Sequence, residues 1–167
     1  MESNVHSTNS SYREMVLEHM FLGNLLCHLW QSGVYQVEVL KSQVDDSGYD
    51  LILEYNGIVR HIQLKTSFVG ATTNRINANI KLGQKPSGCI LWLIFRPDTL
   101  EFHTFLWFGK EAGQPLPDIT DFPIATHTKA NAAGQRANRP NIRSIEKRNF
   151  EQLDTIEQVA IRLFGGA

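Results

Sequence analysis

The feature that most constrains this chain is Asn56-Gly57, set between two runs of alternating apolar residues, YDLILEY over 49–55 and IVRHIQLKT over 58–66. A type I′ turn needs positive φ at both central residues, and Asn-Gly meets that need at the least steric cost. A two-residue loop sets Tyr55 opposite Ile58, so paired positions sum to 113 and Asp50 falls opposite Gln63. Strand side chains alternate between faces. One face then carries Leu51, Leu53, Ile62 and Leu64 and suits a core. The other carries Asp50, Ile52 and Glu54 beside Val59, His61, Gln63 and Lys65. Directly opposed Cβ atoms lie about 4.5–5.5 Å apart, and Lys65 becomes the diagonal neighbour of Asp50. A carboxylate, an amide oxygen and an ammonium group thus converge at the far end of the hairpin.

Around this hairpin the remaining elements follow from periodicity. Residues 1–10 are polar and aperiodic and read as a disordered tail; 11–167 read as a single domain. A helix is expected from Ser11 to Gln31, closed by Ser32-Gly33. At 100° per residue, Met15, Glu18, Leu22, Leu25, Leu26 and Leu29 share an arc roughly 100° wide, extended on one side by Leu17, Phe21 and His28. Val34–Leu40 reads as a strand. Within 67–87 the alternation of Ile76, Ala78 and Ile80 fits a short strand, and 80–85 a helical turn. Cys89–Phe95 is an unbroken apolar run, as expected of a strand covered on both faces. Thr99–Phe108 is another strand, and 109–141 is rich in loops. Asp154-x-x-Glu157 resembles a capping box opening a final helix that carries Ile156, Ala160, Leu163 and Phe164. The expected fold class is α/β, a mixed central β-sheet flanked by helices.

Composition narrows the function classes. The 167 residues are 42% hydrophobic and 20% charged, the balance of a globular domain. Cys27 and Cys89 sit in apolar runs without a C-x-x-C spacing, which argues against a zinc site and a disulfide framework. No stretch approaches ~18 apolar residues, so no membrane span is expected, and a cytoplasmic setting is the default. The net charge is −1, so nucleic acid could be held only by a local patch. Two windows offer one. Arg60 to Lys85 holds Arg60, Lys65, Arg75, Lys81 and Lys85 with no acid, and Thr126 to Phe150 holds Lys129, Arg136, Arg139, Arg143, Lys147 and Arg148 against Glu146. Between Glu38 and Glu54 stand five acids, Asp45 and Asp46 among them, against Lys41. Basic flanks around an acidic centre are the arrangement that grips a phosphate backbone at a metal site. A solvated loop surface explains the later window almost as well.

An oxygen-rich pocket beside a lysine suits Mg²⁺ or Mn²⁺, which take hard ligands and keep several waters. If the first helix lies over the polar face of the hairpin, Glu18, an acid inside an apolar stripe, joins the site; Glu14 is the alternative. Taken alone, Asp50 facing Gln63-x-Lys65 reads equally well as a solvated sheet face.

The series Glu18 … Gly48-Tyr49-Asp50 … Gln63-Leu64-Lys65, in the order helix, strand, strand, resembles the PD-(D/E)XK, or restriction-endonuclease-like, nuclease superfamily. The stretch VDDSGYDLILEYNGIVRHIQLKTS is similar to the nuclease core of that group, and the likeness covers 11–66. The segments RHIQLK and KPSGC are also similar to an uncharacterised bacterial family. The superfamily resemblance implies a restriction-endonuclease-like core and metal-dependent hydrolysis of a phosphodiester in DNA. It implies Asp50, Gln63, the carbonyl of Leu64 and Glu18 as ligands of Mg²⁺ or Mn²⁺, with Lys65 positioning the water. Gln63 stands where most members carry Glu or Asp, as in the Q-x-K variants of methyl-directed restriction enzymes. Tyr49 replaces the usual proline. A homodimer, cutting two strands, is a further implication. The same fold with catalysis lost, leaving a nucleic-acid-binding protein, is the alternative that Gln63 keeps open.

Overall fold

The computed structural model describes residues 8–42, 47–127, 130 and 134–166. Two helices and nine strands follow in the order α1 (Ser10–Gln31), β1 (Glu38–Lys41), β2 (Leu51–Tyr55), β3 (Ile58–Phe68), β4 (Arg75–Asn79), β5 (Gly88–Phe95), β6 (Phe102–Gly109), β7 (Ile124–Thr126), β8 (Asn138–Glu146), β9 (Glu151–Leu153) and α2 (Ile156–Phe164). A mixed six-stranded sheet runs β1-β2-β3-β5-β6-β9, and a second sheet runs β4-β8-β7. The fold is α/β, as the alternation of elements implies.

Both helices lie on one face of the large sheet. There Phe21, Leu25 and Leu29 of α1 and Val159 and Leu163 of α2 pack on Leu51, Leu53, Ile62, Leu91 and Leu93. The three-stranded sheet covers the opposite face, where Ile76, Ala78 and Ile145 meet Ile90, Trp92 and Leu106. Among the described residues the two α-helices therefore flank one side only, and a sheet with the 3₁₀ turn Ile80–Gln84 covers the other. Every residue of β5 is buried, as expected for a strand roofed on both faces.

The hairpin adopts the expected register: Leu51↔Ile62 through Tyr55↔Ile58 all sum to 113. Asn56 and Gly57 take φ of 51° and 77°, the positive values that the turn demands. Beyond Leu51 the register shifts. The N–H of Asp50 donates to the carbonyl of Ile62 at 2.9 Å, so Asp50 and Leu51 both oppose Ile62. This is a β-bulge, and it moves Asp50 away from the position opposite Gln63.

Several boundaries differ from the sequence reading. Ser10 already belongs to α1, and 1–7 of the expected tail lie outside the described residues. The buried positions of α1 are Leu17, Phe21, Leu25 and Leu29, whereas Met15 and Leu26 are exposed. The helix is thus rolled toward Leu17, because its contact is the apolar face of the hairpin and not the polar one. The strand expected over 34–40 contracts to Glu38–Lys41. The loop-rich stretch 109–141 ends earlier than expected: β8, the middle strand of the second sheet, already begins at Asn138. Pro140 is accommodated because β7 skips from Arg143 to Arg139 across an irregularity, where no ladder N–H is needed. The final helix opens one residue later than expected, with Thr155 and Gln158 forming the capping box.

Arg60 is fully buried and anchors α2. Its Nε donates to the carbonyl of Leu163, and its Nη2 to those of Arg162 and Lys110 at 2.7 and 3.0 Å. The guanidinium also sits 5.3 Å from the Trp107 ring. A cation at a helix C-terminus is favoured by the exposed carbonyl ends. Arg60 therefore serves the fold, and it leaves the basic window in which the sequence places it. No helix among the described residues is long and apolar enough to cross a membrane.

Candidate active site

The site begins where β2 stops. Strand β3 runs on to Phe68, paired with β5 as far as Phe68↔Phe95, while its other neighbour ends at Leu51. Among the described residues, no strand lies beside the edge of β3 along the overhang from Gln63 to Phe68. Along β3 the N–H groups alternate sides: those of His61 and Val69 bond toward β5, so those of Ile62 and Leu64 point to the β2 side. The first group left without a strand partner is the N–H of Leu64. It donates to Oδ2 of Asp50 at 2.7 Å.

Asp50 thus lies in the plane of the sheet, its carboxylate replacing the strand that has ended. Its backbone is held from both sides, the N–H by Ile62 and the carbonyl by the N–H of Ser42 at 3.1 Å. Gly48 makes the approach feasible. It has φ of +75°, and a Cβ there would lie 2.7 Å from the Cβ of Asn79. Only glycine fits this crossing. Tyr49, next in sequence, points to the second sheet and stacks edge-on against His61.

Helix α1 crosses above this notch. Its inward face is apolar at Leu17, Phe21, Leu25 and Leu29, where sheet lies beneath, and bears Ser11, Glu14 and Glu18 over the overhang. These side chains, with Lys41, Asp50, Leu64, Lys65, Thr66 and Leu93, line an open cleft of about 500 Å³. The Glu18 side chain is 14% exposed and accepts from Nζ of Lys41 at 2.6 Å. Glu14 is well exposed and lies 3.9 Å from the Arg13 guanidinium.

Asp50, Glu18, Lys65 and Leu64 of the expected set share this cleft. Gln63 does not line it: the residue is 7% exposed, and its Oε1 is buried without a hydrogen-bond partner among the described residues. Side chains alternate along β3, so Gln63 faces the second sheet with its neighbour Ile90, whereas the cleft lies on the α1 face with Leu64 and Leu93. His61 is a packing group, held against Tyr49 at 5.0 Å between ring centroids. Burial and the nearby Lys85 lower its pKa.

The expected phosphate grips divide. Lys85 sits 5.2 Å from the Tyr49 ring, and Lys81 follows Asn79, whose side chain accepts the Lys81 N–H. Both therefore stand beside the segment that leads into Asp50. Arg75, Arg136 and Arg139 are exposed on or near the second sheet. Arg143 bonds through Nε to the carbonyl of Thr120 and through Nη1 to that of Pro140, so its guanidinium serves the loops. Lys129, Asp45 and Asp46 lie outside the described residues.

Lys41 is the site residue that the sequence reading missed. It ends β1 opposite Leu51, beside the bulge. Nine residues, 42–50, separate β1 from β2, too many for a two-residue turn signal to fix that register.

The donors here are hard oxygens: the carboxylates of Asp50, Glu18 and Glu14, and the backbone of Leu64 on the open strand edge. Among the described residues no three His, Cys, Asp or Glu side chains form a metal-holding group. Such a donor set suits Mg²⁺ or Mn²⁺, which use one or two carboxylates and fill the remaining positions with water, and it does not suit zinc. No protein-family model matches the chain, and no curated protein matches it.

Proposed function

We propose that this chain is a Mg²⁺- or Mn²⁺-dependent phosphodiester hydrolase of restriction-endonuclease-like type, acting on DNA. The observation that carries the reading is the meeting of two local breaks in pattern: β2 ends in a bulge that turns Asp50 into the sheet plane, and the inward face of α1 becomes acidic directly above.

Asp50, Glu18 and the carbonyl of Leu64 would hold the cation, with Glu14 at the mouth. A bound divalent ion supplies charge for the developing phosphorane and acidifies a water. The residues of the chain do the rest. The Leu64 N–H fixes the Asp50 carboxylate, so its orientation is set before any ligand arrives. Lys65, next along β3, places an ammonium beside the scissile phosphate and orients the attacking water. Lys81 and Lys85 beside Tyr49 would hold the flanking phosphates. Hydrolysis breaks one P–O bond of the backbone and forms another to the water oxygen. Cutting both strands at one locus would require a second copy.

A second reading is favoured by one observation. Gln63 turns its amide into the interior, so the cleft has one acidic ligand fewer than most such sites. A DNA-binding protein of the same fold without catalysis would carry that arrangement.

Supercoiled plasmid incubated with the protein and Mn²⁺ tests the proposal. Nicking that is lost in Asp50→Asn and in Lys65→Met supports the hydrolase. Retention of DNA in a gel shift at low salt without nicking supports the binder. Neither outcome would leave both readings without support.

A further inference from the structure

Lys41 lines the cleft without a part in the hydrolysis itself. Its ammonium lies 2.6 Å from Oε1 of Glu18, a carboxylate only 14% exposed, in a cleft that also contains Asp50 and Glu14. A carboxylate so far out of water is costly without an opposite charge beside it. Lys41 offsets that cost. Its own side chain is 57% exposed, so the ammonium can leave without repacking anything beneath it. It is also held at its root, because Lys41 pairs with Leu51, next to the bulge.

We propose that Lys41 is a built-in counter-cation for Glu18, competing with the divalent ion for the same carboxylate and released to the cleft mouth when the ion binds. This inference rests on the metal-site reading above. An ammonium at hydrogen-bond distance and a divalent cation cannot both take the Glu18 oxygen, since the two positive charges would stand a few ångströms apart. Once released, Lys41 stands at the rim of the same cleft as Lys65, where a phosphate oxygen can accept from it. Lys41 is thus a positioning residue: it holds the empty site in shape, sets the concentration of metal at which the site fills, and adds a phosphate contact after filling.

The test is direct Mn²⁺ binding, by titration with electron paramagnetic resonance detection of the free ion, on the full chain and on Lys41→Met, Glu18→Gln and the double variant. Circular dichroism confirms folding of each. Lys41→Met keeps the length of the side chain and removes the charge. Expected is a roughly three- to fivefold tighter Mn²⁺ affinity in Lys41→Met, the range that an exposed ion pair is worth. In the Glu18→Gln background the same change should have no effect. With a 20-base-pair duplex and saturating Ca²⁺, Lys41→Met should bind DNA more weakly despite its better metal site. Unchanged or weaker Mn²⁺ binding by Lys41→Met, with the parent chain binding normally, overturns the counter-cation role and leaves the metal site standing. A folded parent chain that binds no Mn²⁺ at millimolar concentration overturns both.

Discussion

The carboxylate of Asp50 accepts the backbone N–H of Leu64 at 2.7 Å, in the position where a continuing strand would have placed a carbonyl. The bond has a consequence that separates chemistry from stability. An asparagine at 50 still offers an oxygen to Leu64, so Asp50→Asn should retain the fold within about 1 kcal/mol while losing divalent-metal binding. Asp50→Ala removes the acceptor and leaves a half-buried N–H unpaired, a cost of about 1–2 kcal/mol. Urea denaturation of the three proteins measures the difference. Equal stability of the Ala and Asn variants would mean that the bond contributes nothing.

Arg60 is the clearest structural cation. Three backbone carbonyls accept from it, two of them in the last turn of α2, and no solvent reaches it. Burial lowers its pKa, yet guanidinium remains charged at any pH that the protein survives. Arg60→Met should cost about 3 kcal/mol or more, since hydrogen bonds from a charged donor are lost and the carbonyls are left buried. Thermal or urea denaturation reads this out. DNA retention by the folded fraction should be unchanged.

These two residues also mark what the sequence could and could not convey. The hairpin register was legible because Asn56-Gly57 admits one turn type and one alternation. The bulge at Asp50 was not, because an extra residue in a strand leaves no mark when the following segment alternates correctly. It moved Asp50 to the sheet edge. The acid in the stripe of α1 was legible as an anomaly. Its partner Lys41 was not, because nine residues separate β1 from β2, and a connection of that length sets no register. Arg60 counted as part of a basic window, since a buried cation and a surface one look alike in sequence. The strand through Pro140 was hidden by a residue that fits only because β7 and β8 are irregular there. The fold class, by contrast, followed from the order of elements alone.

His61 gives the structure a pH dependence. Its folded pKa is lowered, first by burial and then by Lys85. The unfolded chain therefore binds more protons than the folded one just below the ordinary imidazole value of about 6.5. Stability from this group is fully present above that value and declines as pH falls through it toward the folded pKa. Denaturation midpoints measured between roughly pH 7.5 and 5.5 should fall with pH, and the slope should flatten in His61→Gln. An identical slope in the variant would assign the effect to other groups.

The two thiols should differ sharply. Cys89 is fully buried in β5, and burial pushes its pKa up to about 12; Cys27 is exposed on α1. Reaction follows the thiolate and its access. Ellman's reagent should titrate one thiol in the native protein and two in guanidinium. Rapid reaction of both in the native state would show that β5 opens or lies nearer the surface than its full burial indicates.

The central claim is that Asp50, the backbone of Leu64 and Glu18 enclose one divalent cation. A crystal soaked in Mn²⁺, with data collected at a wavelength where manganese scatters anomalously, tests it most directly. Expected is an anomalous peak in the cleft under the first turns of α1, within bonding reach of the Asp50 carboxylate and the Leu64 carbonyl, with Lys41 swung away from Glu18. A well-ordered cleft with no peak, Lys41 still on Glu18, and manganese only at other surface carboxylates would contradict it.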